Sequence, residues 1–195
     1  MPVQLTLPDK LTEMQREKAQ SLQRELSVEW LSDVLIPVLT QTSNVSIRIL
    51  DWLVTNYSKS QKVVLYYRQG KKRRIFDVYH EYDDTLTMYG RSLFDPFRRG
   101  PRTHFMGKDP DSGKTVEYET TIAQIVFFKW AHDKGVLEFC KKNVEAIESD
   151  MHRAHDERNR RVAEGRQKKR RPLSKEPATK CFIFCEEALE TFARD

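Results

Sequence analysis

Two kinds of hydrophobic spacing occur in this sequence, and their combination restricts the fold class. Apolar residues recur every three or four positions between Ile47 and Tyr57, which is the spacing of one helix face, and we expect Asn44 or Ser46 to begin this helix. Lys62–Tyr67 is instead short, β-branched and aromatic, and favours a strand. Thr103–Met106 and Thr115–Tyr118 flank a stretch rich in turn residues and predict a hairpin. We therefore expect a helix-rich α+β fold, a single domain with a small antiparallel sheet.

The N-terminal part of the chain predicts two helices before Ile47. Lys10–Glu25 is polar and weakly amphipathic, and its candidates for burial are Leu11, Met14, Leu22 and Leu26. Ser27 is expected to cap a more apolar helix, which Pro37 should kink or end because proline lacks the backbone N–H of a helical hydrogen bond.

Three more helices are predicted after the first strand. One covers Ile75–Tyr89, with Gly90 as its C-terminal cap, and another runs from Thr120 or Thr121 to His132. The longest begins at Val136. Its apolar residues follow steps of four and three, the spacing of a packed seam, and they are Cys140, Val144, Ile147, Met151 and Ala154.

This pattern predicts three segments: an N-terminal helical arm (1–44), an α+β core ending in the long helix (45–160), and a basic linker with a small apolar tail (161–195). Pro172 and Pro177 break the linker. Bulky apolar side chains of the tail would be wasted in solvent, so we expect them to dock on this domain or on a partner. They are Phe182, Ile183, Phe184, Leu189 and Phe192.

The net charge of +5 is unevenly distributed along the chain. Three cation clusters are candidate sites for nucleic acid or an acidic partner, because lysine and arginine neutralise phosphates and release counterions. A solvated charged surface is the alternative. The clusters are Arg68, Lys71, Lys72, Arg73 and Arg74; Arg98, Arg99 and Arg102; and Arg166, Lys168, Lys169, Arg170 and Arg171.

Signals for chemistry are weak in this sequence. Gly107–Thr115 ends like a phosphate-binding loop but has five residues between its glycines instead of four, so a hairpin tip is favoured. Glu148, His152, His155 and Asp156 could share a helix face, yet one helix supplies too few metal ligands. We expect no catalytic residues, no metal and no cofactor, and hence a protein that is not an enzyme.

The remaining composition bears on cellular location. No apolar run approaches the roughly 20 residues of a membrane-spanning helix, and we expect neither secretion nor a membrane anchor. Three cysteines, an odd number, favour free thiols in a reducing compartment, with a Cys181–Cys185 or intermolecular bridge as the alternative.

Two blocks within about residues 46–140 resemble a family of nucleocytoplasmic large DNA viruses. The first runs from Val63 to Tyr82 and continues to the Phe-Asp-Pro-Phe block, Phe94–Phe97; the second is Thr120–Ala131. The resemblance brings no activity with it. It implies a large-virus gene product, for which virion structural, DNA-packaging and transcription-associated roles are the usual candidates.

The leading hypothesis from the sequence is a virion structural protein, a minor capsid or internal component that binds other virion proteins. The alternative is a viral nucleic-acid-binding protein that uses the cation clusters. Either would be found in the virion, and in host cytoplasm or nucleus during assembly. No small-molecule substrate is expected.

Overall fold

The structure, a computed structural model, describes residues 3–69, 72–165 and 184–185; at positions 68, 69, 72, 73, 184 and 185 it describes the backbone alone. The helices are α1 (Glu13–Glu25), α2 (Val28–Trp30), α3 (Ile36–Leu39), α4 (Ile47–Trp52), α5 (Ser58–Gln61), α6 (Val78–Tyr89), α7 (Arg91–Phe94), α8 (Ile122–Asp133), α9 (Val136–Lys142) and α10 (Val144–Ala163). The strands are β1 (Leu5–Thr6), β2 (Val64–Gln69), β3 (Lys72–Asp77), β4 (Arg102–Lys108), β5 (Thr115–Thr121) and β6 (Phe184–Cys185). Two π-helical turns, Leu31–Leu35 and Leu53–Tyr57, complete the set. The prediction of a helix-rich α+β fold with small antiparallel sheets is confirmed.

The described residues form two compact units. The first contains residues 3–43, 85–130 and 184–185, and the second contains residues 44–69, 72–84 and 131–165. The N-terminal residues are built into the first unit. Leu5 pairs with Phe105 across β1 and β4, and Leu22 is buried.

The first unit contains a four-stranded antiparallel sheet in the order β1-β4-β5-β6. The predicted hairpin is confirmed as β4 and β5, which pair from Arg102 with Thr121 to Lys108 with Thr115. Gly107 leaves room for its neighbours in β4: a Cβ there would lie 2.5 Å from Ile36 Cδ1 and 3.1 Å from the Tyr118 ring. Glycine in a strand interior often marks such a close approach.

Local capping explains where the N-terminal helices begin. Thr12 and Gln15 form a capping box at α1, each side chain bonding to the other's backbone N–H. Met14, predicted to face the core, is exposed; Gln15, Ala19 and Leu22 are the buried residues of α1. The buried residues therefore follow helical spacing, as predicted, but the buried face of α1 begins at Gln15 instead of Met14.

Pro37 lies at the beginning of α3, directly after the π-helical turn Leu31–Leu35. Ser27 caps α2 as predicted, since its hydroxyl accepts a hydrogen bond from the Trp30 backbone N–H. A π turn shifts the backbone hydrogen bonds by one residue, which removes the need for an N–H at the proline. The helical path continues through Pro37 and ends at Leu39.

Helix α8 is buried at nearly every position from Ile122 to Trp130. A helix that is apolar all round is a central helix. In the first unit its aromatic side chains meet Phe94 edge to face: ring centroids lie 5.7 Å apart for Phe127 and 5.4 Å for Trp130. Thr121 caps this helix by accepting a hydrogen bond from the Gln124 backbone N–H, as predicted.

The second unit contains the predicted helix after Asn44, capped by Ser46 through the Ile49 backbone N–H. The prediction of one uninterrupted helix from Val136 was wrong, because α9 ends at Lys142 and α10 begins at Val144. Asn143 separates them. Its side-chain amide donates to the Phe139 carbonyl at 2.8 Å, and this local bond competes with helix continuation.

The predicted helix Ile75–Tyr89 was wrong over its first turn. Residues Ile75–Asp77 belong to β3, and α6 starts at Val78. Asp77 explains the boundary, because its carboxylate accepts hydrogen bonds from the backbone N–H and the ring of His80. Burial raises the pKa of Asp77, but these bonds to His80 outweigh it and hold the pKa below its ordinary value.

Candidate interaction surface

Strands β2 and β3 form a two-stranded antiparallel ribbon in the second unit, which we call the basic ribbon. Neighbouring side chains alternate between its two faces. One face is open to solvent: relative exposure is 56% for Val64, 60% for Tyr66 and 76% for Ile75. Clustered apolar and aromatic groups on a solvent-facing strand pair are typical of a binding surface.

The opposite face of the basic ribbon is fixed to its own unit. The Tyr67 and Phe76 rings meet edge to face with centroids 5.5 Å apart. The Lys134 ammonium lies 3.8 Å from the Tyr67 ring centroid and forms an ion pair with Glu81 at 2.7 Å. These contacts hold the base of the ribbon, so that its other face is presented in a defined orientation.

Lys134 carries a firm positive charge in this position. Partial burial lowers its pKa, but the hydrogen bonds and charges of Glu81 and Tyr67 have the larger combined effect, and the pKa is raised. The ammonium therefore remains charged at any physiological pH and stays available to both partners.

The first cation cluster occupies the far end of the basic ribbon. The register pairs Arg68 with Arg73 and Tyr67 with Arg74, and the Arg74 side chain is exposed. Lys71 lies outside the described residues. No acidic residue occurs between positions 68 and 74.

The second cation cluster is divided by the structure of the first unit. Arg98 and Arg99 are exposed. Arg102 is half-buried in β4 and forms an ion pair with Glu119 at 3.4 Å, a carboxylate that also approaches His104 at 3.6 Å. Arg102 therefore contributes to the sheet, and the exposed cations of this cluster are Arg98 and Arg99.

The third cluster and most of the apolar tail lie outside the described residues. These positions are Arg166, Lys168, Lys169, Arg170, Arg171, Phe182, Ile183, Leu189 and Phe192. The exception is Phe184, whose backbone pairs with Glu117 where β6 joins β5.

The Phe-Asp-Pro-Phe block forms a turn against α8. The Asp95 carboxylate accepts a hydrogen bond from the Phe97 backbone N–H at 3.0 Å, and Phe94 is fully buried. The Gln124 side chain donates to the Pro96 carbonyl at 3.2 Å. Gln124 was not singled out from the sequence, although Thr121 followed three residues later by glutamine is a capping-box pattern.

The remaining candidates from the sequence form no chemical site among the described residues. The Gly107–Thr115 stretch is a turn in which the Asp109 carboxylate accepts hydrogen bonds from the backbone and hydroxyl of Ser112 and from the Asp111 backbone. His152, His155 and Asp156 are exposed on α10. Within the described part of the chain, no three His, Cys, Asp or Glu side chains gather as metal ligands would.

Comparison with known proteins gives a family assignment. The family of unknown function DUF7197 matches residues 22–178. The chain belongs to this family. No helix in the described residues is long and apolar enough to cross a membrane.

A relative is known from a large DNA virus. The chain is 32% identical over 117 residues to "Uncharacterized protein L507" of Acanthamoeba polyphaga mimivirus, a match that covers 60% of this chain and 45% of the relative. The match thus spans less than half of the relative's length. No solved structure matches. The family and this relative support a viral origin, in line with the resemblance noted in the sequence.

Proposed function

We propose that this chain is a non-enzymatic viral protein that binds nucleic acid through the basic ribbon. The observation that carries the proposal is the exposed Tyr66 ring on the strand that leads into an acid-free series of cations at positions 68–74. Cations at the ribbon end attract phosphates, while an exposed tyrosine offers a ring on which a base can stack.

The contacts at the base of the ribbon suit this role. The base of the ribbon is held by Lys134 and Glu81, which limits the conformational entropy lost on binding. Packaging or transcription within a virion or infected cell would supply the nucleic acid.

The test is the salt dependence of DNA binding by the full chain. Fluorescence anisotropy with a labelled single-stranded oligonucleotide should give an apparent affinity that falls with salt, with a slope of log K against log salt of about −3.5 if five cations each contact a phosphate. The double variant Arg73→Ala, Arg74→Ala should flatten that slope by about 1.4 units.

The matched control is Lys10→Ala, Arg16→Ala, which removes the same charge from exposed positions of the first unit. It should leave the slope unchanged. Equal losses in both double variants would mean that net charge alone attracts DNA, and would refute the assignment to the ribbon.

A virion structural role is the second candidate, and the exposure of Ile75 and Val64 favours it. Two aliphatic β-branched side chains gain little from contact with phosphates or bases, whereas a protein partner would bury them. Co-purification with the capsid shell that resists high salt and is lost in Ile75→Asp, with no DNA retained, would support this candidate over the first.

A further inference from the structure

A cleft of about 420 Å³ lies along α4 and α10 in the second unit. Helix α4 contributes Arg48 and Trp52 to its lining, and α10 contributes Met151, His152, Ala154, His155 and Arg158. The volume is within the range of about 300 to 1,000 Å³ typical of small-ligand sites.

The Trp52 ring in the cleft lining is held in place by a residue of α10. Trp52 is half-buried, and its indole N–H donates to an Asp150 carboxylate oxygen at 3.0 Å. Asp150 also forms an ion pair with Arg153. The indole is thereby fixed from one α10 residue, and a fixed ring needs little ordering when a ligand stacks on it.

The charge of the cleft has one sign. Its lining includes two arginines and two histidines and no carboxylate. Among the residues that the structure describes, no carboxylate lies within 4 Å of the guanidinium of Arg48 or Arg158. By contrast, Arg153 and Arg161 on the same helix α10 form ion pairs with Asp150 and Glu157.

The apolar seam of the long helical stretch ends in this cleft. Cys140 and Ile147 are buried, whereas Met151 and Ala154 continue the same series and are half-buried in the cleft lining. Apolar side chains, an indole ring and guanidinium groups with no carboxylate of the described residues within 4 Å together suit a ligand that has a flat ring and a negative charge.

We propose that this cleft binds a nucleotide, either free or as an unstacked residue of a strand. The base lies against Trp52 and the Met151 side chain, and the phosphate binds Arg48 and Arg158, whose planar guanidinium groups match phosphate oxygens. The site uses none of the residues of the basic ribbon. Failure of the nucleotide proposal would therefore leave the proposed function untouched, and the reverse also holds.

Isothermal titration of the full chain with dAMP tests the proposal. We expect measurable binding of dAMP, and its affinity should fall at least tenfold in the double variant Arg48→Ala, Arg158→Ala. Trp52→Phe should still bind dAMP but lose the ligand-dependent quenching of tryptophan fluorescence that the other two tryptophans cannot supply. A 5′-phosphorylated dinucleotide is titrated in parallel. An affinity above that of dAMP indicates a residue of a strand as the ligand, and an affinity below that of dAMP indicates a free nucleotide.

Four controls decide the interpretation. Arg160→Ala removes one exposed cation of α10 outside this lining, and should leave dAMP binding intact. Equal weakening in Arg160→Ala and Arg158→Ala would overturn the site. Inorganic phosphate or deoxyadenosine binding as tightly as dAMP would overturn the nucleotide assignment, as would undetectable binding of both dAMP and the dinucleotide. Retained dAMP binding in Arg73→Ala, Arg74→Ala separates this cleft from the basic ribbon.

Discussion

Replacing Gln124 by methionine should destabilise the first unit strongly, although the two side chains have similar volume. Gln124 is 1% exposed. Its carbonyl oxygen accepts hydrogen bonds from the Thr120 hydroxyl at 2.9 Å and the Thr121 backbone N–H at 3.3 Å, and its amide donates to the Pro96 carbonyl at 3.2 Å. One side chain thus joins β5, the start of α8 and the Phe-Asp-Pro-Phe turn.

The size of the effect follows from these three bonds. Each contributes about 1 kcal/mol net, and a buried partner left without a hydrogen bond costs somewhat more. Methionine fills the same space, so no cavity term is added. We therefore expect a loss of about 3 to 4 kcal/mol, a large share of a total stability that is typically about 5 to 15 kcal/mol.

Urea unfolding followed by circular dichroism measures this loss as a lower midpoint with an unchanged slope. Gln4→Met, at an exposed position of the same unit, is the control and should change stability by less than about 0.5 kcal/mol. A loss below about 1 kcal/mol in Gln124→Met would refute the reasoning, because it would mean that the three partners find other hydrogen bonds.

Four further predictions concern single positions. Lys134→Met should speed amide hydrogen exchange at Tyr67 and Phe76 severalfold by releasing the base of the basic ribbon, whereas Lys142→Met, at an exposed site, should not; unchanged exchange would contradict the clamp. Gly107→Ala should cost about 1 to 3 kcal/mol through contact with Ile36, and Ile36→Val in the same chain should recover part of it; no recovery would place the strain elsewhere. Burial raises the pKa of the Cys140 thiol to about 12, so above about pH 8.5 the unfolded chain releases a proton that the folded chain keeps, and stability should fall by about 1.4 kcal/mol per pH unit more in the wild type than in Cys140→Ala; equal slopes between pH 9 and 10 would refute this. Tyr66→Ala should weaken binding of single-stranded DNA by about 1 to 3 kcal/mol while Tyr66→Phe keeps it, and equal losses in the two would exclude stacking.

Periodicity and local capping in the sequence determined much of the fold. Ser27, Ser46 and Thr121 were recognisable as caps because a short polar side chain before an apolar series satisfies the first free backbone N–H groups. The hairpin of β4 and β5 was equally clear, since its turn residues stand between two alternating segments. These signals act over a few residues and need no tertiary contact.

Hydrophobic spacing did not predict where some elements begin and end. Strand pairing and side-chain hydrogen bonds to the backbone compete with helix formation there, and they decide these boundaries. Ile75 fits a helical face, but it pairs with Tyr66, and its neighbour Phe76 pairs with Leu65, so both belong to a strand. Asp77 then caps the start of α6. The seam from Cys140 to Ile147 likewise gave no sign that Asn143 would interrupt it.

The candidate sites show the same division between sequence and tertiary structure. The cation cluster at positions 68–74 is visible in the sequence, whereas its placement beside an exposed face of Val64, Tyr66 and Ile75 depends on the pairing of two strands. Arg102 looked like a member of a binding cluster until the sheet placed Glu119 beside it. Arg48 and Trp52 line one cleft with Arg158 only because α4 packs along α10, about 100 residues later in the chain. Contacts between such distant segments are set by the packing of whole elements rather than by local pattern.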